Sequence, residues 1–116
     1  MPTDRLARVR AAYDAFATAD RDAIESLLAP GFTFHAPPDP HLDRDGFFAR
    51  CWPGAGKAAT EFRFARLAEI GGGEVLATYE AVRPDGTRFR NTEIHAFDGD
   101  LIRRQEVYFG WDLPTG

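Results

Sequence analysis

The sequence has little cysteine and no long hydrophobic run. Its single cysteine, Cys51, excludes an internal disulfide, which is typical of proteins in a reducing compartment. No apolar run approaches the roughly 18 residues that a membrane helix needs, and no hydrophobic stretch of the signal-peptide kind follows the first residues. We therefore expect a cytoplasmic protein that has no membrane partner.

Basic charge is scarce as well. The formal net charge is −4, whereas a general nucleic-acid binder usually presents a basic face, so we expect no nucleic-acid partner. The basic residues are 13 arginines and one lysine, Lys57. Together with the many alanines, this bias is typical of a GC-rich coding sequence, and no arginine is given functional weight for its residue type alone.

The remaining composition is that of one folded domain. The chain has 116 residues, about the length of a single domain, so one domain is expected over 1–116. Ten Phe, three Tyr and two Trp carry too much apolar surface for a disordered chain.

Apolar spacing predicts three helices in the first half of the chain. The first spans 4–18, with Thr3 as its N-cap, because four apolar residues share one helical face: Leu6, Val9, Tyr13 and Phe16. A short second helix starts after Asp20 and ends before Pro30-Gly31. The third spans 43–52, with Asp43 as its cap.

Strands are predicted mainly in the second half. A short strand at 32–35 precedes a stiff proline-rich loop, and the longer strands are 59–70, 74–83, 87–97 and 101–109. Asp-Gly pairs at 85–86 and 98–99 are strong hairpin signals. Helices followed by antiparallel strands predict an α+β domain, in which the helices cover one face of a curved sheet.

This order of elements and several local motifs resemble the nuclear transport factor 2-like (SnoaL-like) superfamily over nearly the whole chain. The motifs that match its first helices, first strand and closing hairpin are Tyr13-Asp-Ala-Phe16, Asp20-Arg-Asp-Ala-Ile24, Phe32-Thr-Phe-His-Ala-Pro37, Asp98-Gly-Asp-Leu-Ile102 and Glu106-Val-Tyr-Phe109. The stretches 43–53 and 89–93 are similar to a bacterial subfamily. The resemblance implies a cone-shaped sheet, of the half-barrel type also called cystatin-like, that curls around a pocket plugged by the helices.

The resemblance also implies a choice of activities. The superfamily includes ketosteroid isomerase, epoxide hydrolase, polyketide cyclases and non-catalytic binding modules, and its members are commonly dimers. In the isomerase, a tyrosine similar in position to Tyr13 hydrogen-bonds the developing enolate. The isomerase's catalytic aspartate is replaced here by Ala36, before Pro37, so that mechanism does not transfer. Tyr13 is either a ligand-facing residue or a core residue.

The strand at 87–97 carries the main candidates for chemistry. Its residues alternate between two faces. One set, with three hydrogen-bonding side chains between aromatic ends, suits a ligand cavity: Phe89, Asn91, Glu93, His95 and Phe97. The other set suits an outer face that could pair with another subunit. We expect the first set to face the pocket, although a one-residue shift at the Asp98-Gly99 turn would reverse this.

Glu93 is the expected general acid or base. An apolar pocket would raise the pKa of its carboxyl towards neutrality, and His95 on the same face could share its proton. The alternative is that Glu93 forms an ion pair with Arg103 or Arg104 on the next strand. Asn91 either hydrogen-bonds a ligand or bridges strands at the sheet edge.

Other residues complete the expected site. We assign to the pocket Phe34, Tyr79, Phe109 and Trp52, although Trp52 could instead plug the core. Asp39 is expected at the pocket rim. His35, His41 and neighbouring carboxylates would suit a divalent metal, but they lack a helical ligand motif, so neither a metal nor another cofactor is expected. Cys51 on an apolar helix face is expected to be an inert core thiol.

Three hypotheses for function follow. The first is an enzyme that moves protons on an apolar, oxygen-bearing metabolite, as a cofactor-independent isomerase, cyclase or hydrolase with Tyr13, Glu93 and His95 as catalytic residues. The second is a ligand-binding module with the same pocket, and the third is a dimerisation domain. For all of them, a homodimer is expected through an apolar patch on the outer sheet face: Ile94, Ala96, Ile102 and Tyr108.

Overall fold

The computed structural model describes residues 4–115, and within them the chain forms three α-helices and six strands. The helices are α1 (Arg5–Thr18), α2 (Arg21–Leu27) and α3 (Arg44–Arg50), and a 3₁₀ turn follows at Trp52–Gly54. Each helix begins at an aspartate whose side chain accepts the backbone N–H three residues later: Asp4, Asp20 and Asp43. The predicted cap Thr3 lies outside the described residues, and Asp4 caps α1.

The strands form one sheet, and they are β1 (Leu28–Ala36), β2 (Asp39–Asp43), β3 (Glu61–Gly71), β4 (Glu74–Val82), β5 (Arg88–Asp98) and β6 (Leu101–Asp112). Their spatial order is β2-β1-β6-β5-β4-β3. Neighbours are antiparallel except β1 and β6, which pair in parallel. The curved, unclosed sheet and the N-terminal helices confirm the α+β class predicted above.

The first strand and its loop differ from the prediction. β1 starts at Leu28, so Pro30-Gly31 lies inside the strand rather than ending a helix. The pairing of β1 with β6 is irregular between Leu28 and Thr33, which is where a strand tolerates a proline that cannot donate. The predicted stiff loop contains a strand that was not predicted, since β2 (Asp39–Asp43) pairs antiparallel with β1.

The core lies between the helices and the inner face of the sheet. From α1, Val9 and Tyr13 are buried, and from α3, Phe47 packs edge-on against Phe32 of β1 with ring centroids 5.2 Å apart. On β4, the buried inward residues include the small Ala77 and Ala81.

The expected apolar patch on the outer face is only partly present. Ile102 is 1% exposed and belongs to the core, because the β5–β6 register shifts between Ala96 and Phe97 and places Ile102 opposite Phe97. Ala96 is also buried, since its cross-strand neighbours Glu74 and Arg104 form an ion pair at 2.8 Å. Of the predicted patch, only Tyr108 is a large exposed residue.

Candidate active site

A cavity of about 270 Å³ lies between α1, α3 and the inner face of the sheet. Its walls are mostly apolar, and it is lined by Tyr13 and Phe16 of α1, Phe34 and Ala36 of β1, Phe47, Tyr79 of β4, Phe89, Asn91, Glu93 and His95 of β5, and Gln105, Val107 and Phe109 of β6, among others. The β5 residues that line the cavity belong to the set that contains Glu93, but the prediction is wrong for Phe97, which lies in the core beyond the register shift that follows Ala96. Polar groups converge at one place on an apolar wall, which is the usual form of a small-molecule site.

Glu93 is held by three neutral donors. The Tyr13 hydroxyl donates to Glu93 Oε1 at 2.8 Å, and Gln105 Nε2 donates to the same oxygen at 2.6 Å. The Tyr79 hydroxyl donates to Glu93 Oε2. Glu93 itself is 5% exposed. Because Oε1 has two donors and Oε2 has one, Oε2 keeps a lone pair for a further partner.

Glu93 has no cationic partner among residues 4–115. Arg104, one of the two arginines proposed for it, forms ion pairs with Glu74 at 2.8 Å and Glu106 at 2.9 Å on the outer face. Arg103 forms no ion pair with Glu93 either. The basic side chain nearest to it is His95, with Nε2 3.7 Å from Glu93 Oε1. The carboxyl group is therefore buried without charge compensation.

His95 is joined to Glu93 through Tyr13. The Tyr13 oxygen lies 2.9 Å from His95 Nε2, and one hydroxyl proton cannot serve both neighbours at once. When Glu93 is ionised, Tyr13 donates to it and His95 Nε2–H donates to the tyrosine oxygen. When Glu93 is protonated on Oε1, Tyr13 can accept from it and donate to His95. The three groups form a hydrogen-bonded chain whose donor directions depend on whether Glu93 is ionised.

Burial decides the charge states of this chain. Desolvation raises the pKa of Glu93, although the hydrogen bonds from Tyr79, Tyr13 and Gln105 oppose that shift. Desolvation lowers the pKa of His95 to about 3, so the imidazole is neutral near pH 7. Desolvation and the nearby carboxyl raise the pKa of both tyrosines, which stay protonated. Glu93 is thus the acidic member of this set whose pKa burial moves upward, from its ordinary value towards neutral pH.

The aromatic cluster around Tyr13 fixes the phenol in place. Its ring packs edge-on against Phe62, Phe64 and Tyr79 with centroids 5.0 to 5.2 Å away. Such contacts leave one orientation for the hydroxyl. Tyr13 is both a buried helix-face residue and a wall of the cavity, so the two alternatives posed for it are not exclusive.

Asn91 bridges two strands, which is one of the two roles expected of it, and it also lines the cavity. Its Oδ1 accepts from the backbone N–H of Gly110 at 3.0 Å, which bridges β5 to β6 where their register shifts. Its Nδ2 donates to the Tyr79 hydroxyl at 3.4 Å and points the amide at the cavity. The amide therefore supports the tyrosine that holds Glu93.

The remaining predicted residues have mixed placements. Phe34 and Tyr79 line the cavity, and Phe109 lines it while 59% of its surface stays exposed, so it marks the mouth. Asp39 lines the cavity, and its carboxylate forms an ion pair with Arg50 at 2.9 Å. Trp52 does not line the cavity: α3 ends at Arg50, and the 3₁₀ turn directs the indole against Phe16 and Phe48.

Gln105 is the functional-site residue that the sequence analysis missed. It is half-buried on β6, opposite His95, and its amide donates to Glu93. An available signal was its position in a strand of alternating residues, in line with Val107 and Phe109. The sequence instead favours an ion pair of Glu93 with Arg103 or Arg104, because a cation is the more usual partner for a carboxylate.

The two sites weighed for metal binding and nucleophilic chemistry have ordinary surroundings. His35 Nδ1 contacts the carbonyl oxygen of Pro40 at 2.8 Å, and His41 packs beside the His35 ring. Between Asp4 and Thr115, no group of three or more His, Cys, Asp or Glu side chains is suited to hold a metal ion. Cys51 lines the cavity, and burial raises the pKa of its thiol to about 12, so it stays protonated.

Comparison with known proteins agrees with this architecture. The family model of the SnoaL-like domain matches residues 9–105, and the chain belongs to that family. No curated protein matches the chain. None of the helices in the described part of the chain is long and apolar enough to cross a membrane.

Solved structures share the fold at low identity. A candidate polyketide cyclase of Sinorhizobium meliloti is 20% identical with a TM-score of 0.71, over 86% of this chain and 92% of that one. A candidate ketosteroid isomerase of Kribbella flavida is 15% identical with a TM-score of 0.74, over 98% and 85%. A nuclear transport factor 2-like protein of Cytophaga hutchinsonii is 19% identical with a TM-score of 0.72, over 95% and 93%. At these identities the likeness concerns the fold.

Proposed function

We propose that the protein is a cofactor-independent enzyme that moves a proton on a small, largely apolar metabolite bearing a carbonyl oxygen, in an isomerisation or cyclisation. The observation that carries this proposal is Glu93: a buried carboxyl on a cavity wall, held by two tyrosines and a glutamine and joined by no cation in the described chain. The similarity to a candidate cyclase and a candidate isomerase supports the same reaction class.

The geometry suggests a division of roles. Glu93 Oε2 takes a proton from the carbon next to the carbonyl, and the electron pair of the broken C–H bond moves to the carbonyl oxygen. Once Glu93 is protonated, its neutral carboxyl no longer requires hydrogen bonds from both tyrosines. Tyr13 or Tyr79 then donates to the substrate oxygen that has become negative. Return of the proton to a different carbon completes an isomerisation. In a cyclisation the enolate carbon attacks a second carbonyl, and the proton held by Glu93 passes to the alkoxide oxygen that this attack forms.

A non-catalytic binding module remains the second candidate, and one observation favours it. The carboxyl of Glu93 already has three donors within the protein, so the same network could serve to fix the interior rather than to react. The two candidates differ in proton exchange, because a binding module does not exchange hydrogen between its ligand and water.

Deuterium exchange tests this proposal. The bicyclic ketone 2-tetralone has roughly eleven non-hydrogen atoms, the size that the cavity admits, since an engineered cavity of about 150 Å³ holds benzene. In D₂O, the protein should speed deuterium uptake next to its carbonyl well above the buffer rate. Glu93→Gln should abolish the acceleration, and Glu106→Gln, the same change on the outer sheet face, should retain it. Equal rates for the parent and Glu93→Gln would contradict the proposal.

Assembly and location complete the proposal. We keep the homodimer as a prediction on narrower grounds than the sequence suggested, since Tyr108 is the large exposed residue of the predicted patch and lies beside the ion pairs of this face. Sedimentation of dilute protein should then give twice 12.9 kDa, and a monomer at micromolar concentration would contradict it. A cytoplasmic location stays a prediction from the single cysteine.

A further inference from the structure

A second, wider space adjoins the cavity at the start of β5 and the end of β6. This vestibule has a volume of about 520 Å³ and shares four lining residues with the cavity: Ala58, Phe89, Asn91 and Phe109. Its other walls come from the loop before β3 and from the ends of β4 and β6. Phe109, which marks the mouth of the cavity, borders both spaces, so the vestibule lies next to that mouth.

The vestibule differs from the cavity in charge. Among the described residues that line the cavity there is no lysine or arginine, and the carboxyl of Asp39 is occupied by Arg50. The vestibule is lined by the ammonium of Lys57 and the guanidinium of Arg83. Arg83 is ion-paired with Asp112 at 2.8 Å, which leaves the vestibule with one positive charge in excess on a protein whose net charge is −4.

The side chains of the vestibule are also arranged to receive a flat, partly apolar molecule. The Arg83 guanidinium lies 4.6 Å from the centre of the Phe89 ring, which holds it against the wall rather than in solvent. Phe109 and Trp111 also line the vestibule and are 59% and 63% exposed. Lys57 is exposed and forms no ion pair within residues 4–115, so its charge is available to a ligand.

We propose that the vestibule binds the acidic group of an amphipathic ligand whose apolar ring body fills the cavity, with Lys57 as the principal contact. This inference rests on the proposed function and names the substrate class: a small carbonyl or hydroxyl compound of one or two rings that carries a carboxylate at the opposite end. The oxygen of the ring body meets Tyr13 and Glu93, and the carboxylate stays at the wet mouth, where its desolvation cost is small.

Two matched probes test the inference by calorimetric titration at low ionic strength. The neutral probe is 2-naphthol, and the acidic probe is 6-hydroxy-2-naphthoate, the same ring system with a carboxylate at the far end. The parent protein should bind the acidic probe roughly fivefold more tightly, the gain expected for one solvent-exposed ion pair. Lys57→Gln should remove that gain and leave the affinity for 2-naphthol unchanged.

The matched control is Arg66→Gln, which removes the same charge from an exposed position on β3 that lines neither space. It should preserve the preference for the acidic probe. Equal affinity for both probes in the parent, or equal losses in the two variants, would overturn the vestibule proposal while 2-naphthol binding still supports the cavity. Failure of both probes to bind would overturn the proposed function as well. An acidic-probe preference that falls as protein concentration rises would indicate that a second copy occupies the vestibule, which also overturns it.

Discussion

The Tyr13 hydroxyl on α1 donates to Glu93 Oε1 on β5 at 2.8 Å, across 80 residues of sequence. This one hydrogen bond ties the first helix to the centre of the sheet, and it orients the carboxyl towards the cavity. The same phenol reaches His95 Nε2 at 2.9 Å. The Tyr13 side chain therefore contributes both to the packing of α1 against the sheet and to the orientation of Glu93 in the cavity.

Tyr13→Phe should destabilise the protein by about 1.5–3 kcal/mol at neutral pH, because a buried carboxyl loses a donor while the ring packing is kept. Loss of that donor should also raise the pKa of Glu93 further. Tyr108→Phe is the matched control: its hydroxyl donates to Glu106 at 3.0 Å on the exposed face, and it should change stability by less than about 0.5 kcal/mol. Urea unfolding of the parent and the two variants measures the changes in stability. Equal losses of stability in Tyr13→Phe and Tyr108→Phe would contradict this account.

His95 should make the protein sensitive to acid. In the unfolded chain the imidazole binds a proton below about pH 6.5, whereas burial lowers its pKa in the folded protein to about 3. Between these two pKa values the unfolded chain binds a proton that the folded protein does not bind. The free energy of unfolding therefore falls as the pH drops from about 6.5 towards 3. By linkage, the loss from His95 between pH 7.5 and 4.5 is about 2–3 kcal/mol.

Denaturant unfolding of His95→Gln across this pH range checks that loss. The variant should lose about 2–3 kcal/mol less than the parent between pH 7.5 and 4.5. The exposed His41→Gln serves as the control and should lose as much as the parent. Parallel curves for the parent and His95→Gln would show that the imidazole is not held neutral.

The mouth of the cavity depends on a glycine. A β-carbon at position 110 would collide with the carbonyl oxygen of Arg90, at the register shift where the Gly110 N–H donates to Asn91. Gly110→Ala should therefore cost about 1–3 kcal/mol and weaken ligand binding, because β6 must move away from β5. Gly31→Ala, where a β-carbon meets nothing within 4 Å, is the control and should be nearly neutral. A Gly110→Ala variant as stable as Gly31→Ala would mean that the strands do not approach this closely.

Much of the site was predictable because β5 is regular where it matters. Strict alternation from Phe89 to His95 places one set of side chains on one face, and the choice of face followed from their chemistry. The alternation fails beyond that stretch, where the shift between Ala96 and Phe97 moves Ile102 into the core. The sequence carries no clear signal for a bulge of this kind. The predicted apolar patch on the outer sheet face therefore included Ile102, which lies in the core.

The partners of Glu93 could not be predicted in the same way. Whether it meets an arginine or an amide depends on which way β6 faces, and Gln105 and Arg104 are adjacent residues on opposite faces. The bond to Tyr13 depends on how α1 docks, which is a tertiary relationship. The sequence does not predict the start of β1, because Pro30-Gly31 ordinarily ends a helix or a strand. Here the strand continues through this pair, since the pairing of β1 with β6 is irregular between Leu28 and Thr33.

The most direct test of the central claim compares the free energy of unfolding of the parent and Glu93→Gln at pH 4 and pH 7.5. If burial raises the pKa of Glu93, the folded parent loses stability as the pH rises above the unfolded value of about 4.3, and the loss stops growing above the folded pKa. The amide has no such loss, so Glu93→Gln should gain stability relative to the parent from pH 4 to pH 7.5. Glu69→Gln, on an exposed part of β3 and without an ion pair among residues 4–115, shows the effect of net charge alone. A Glu93→Gln variant that becomes relatively less stable as the pH rises would show that Glu93 is a stabilised carboxylate, and it would contradict the acid/base role.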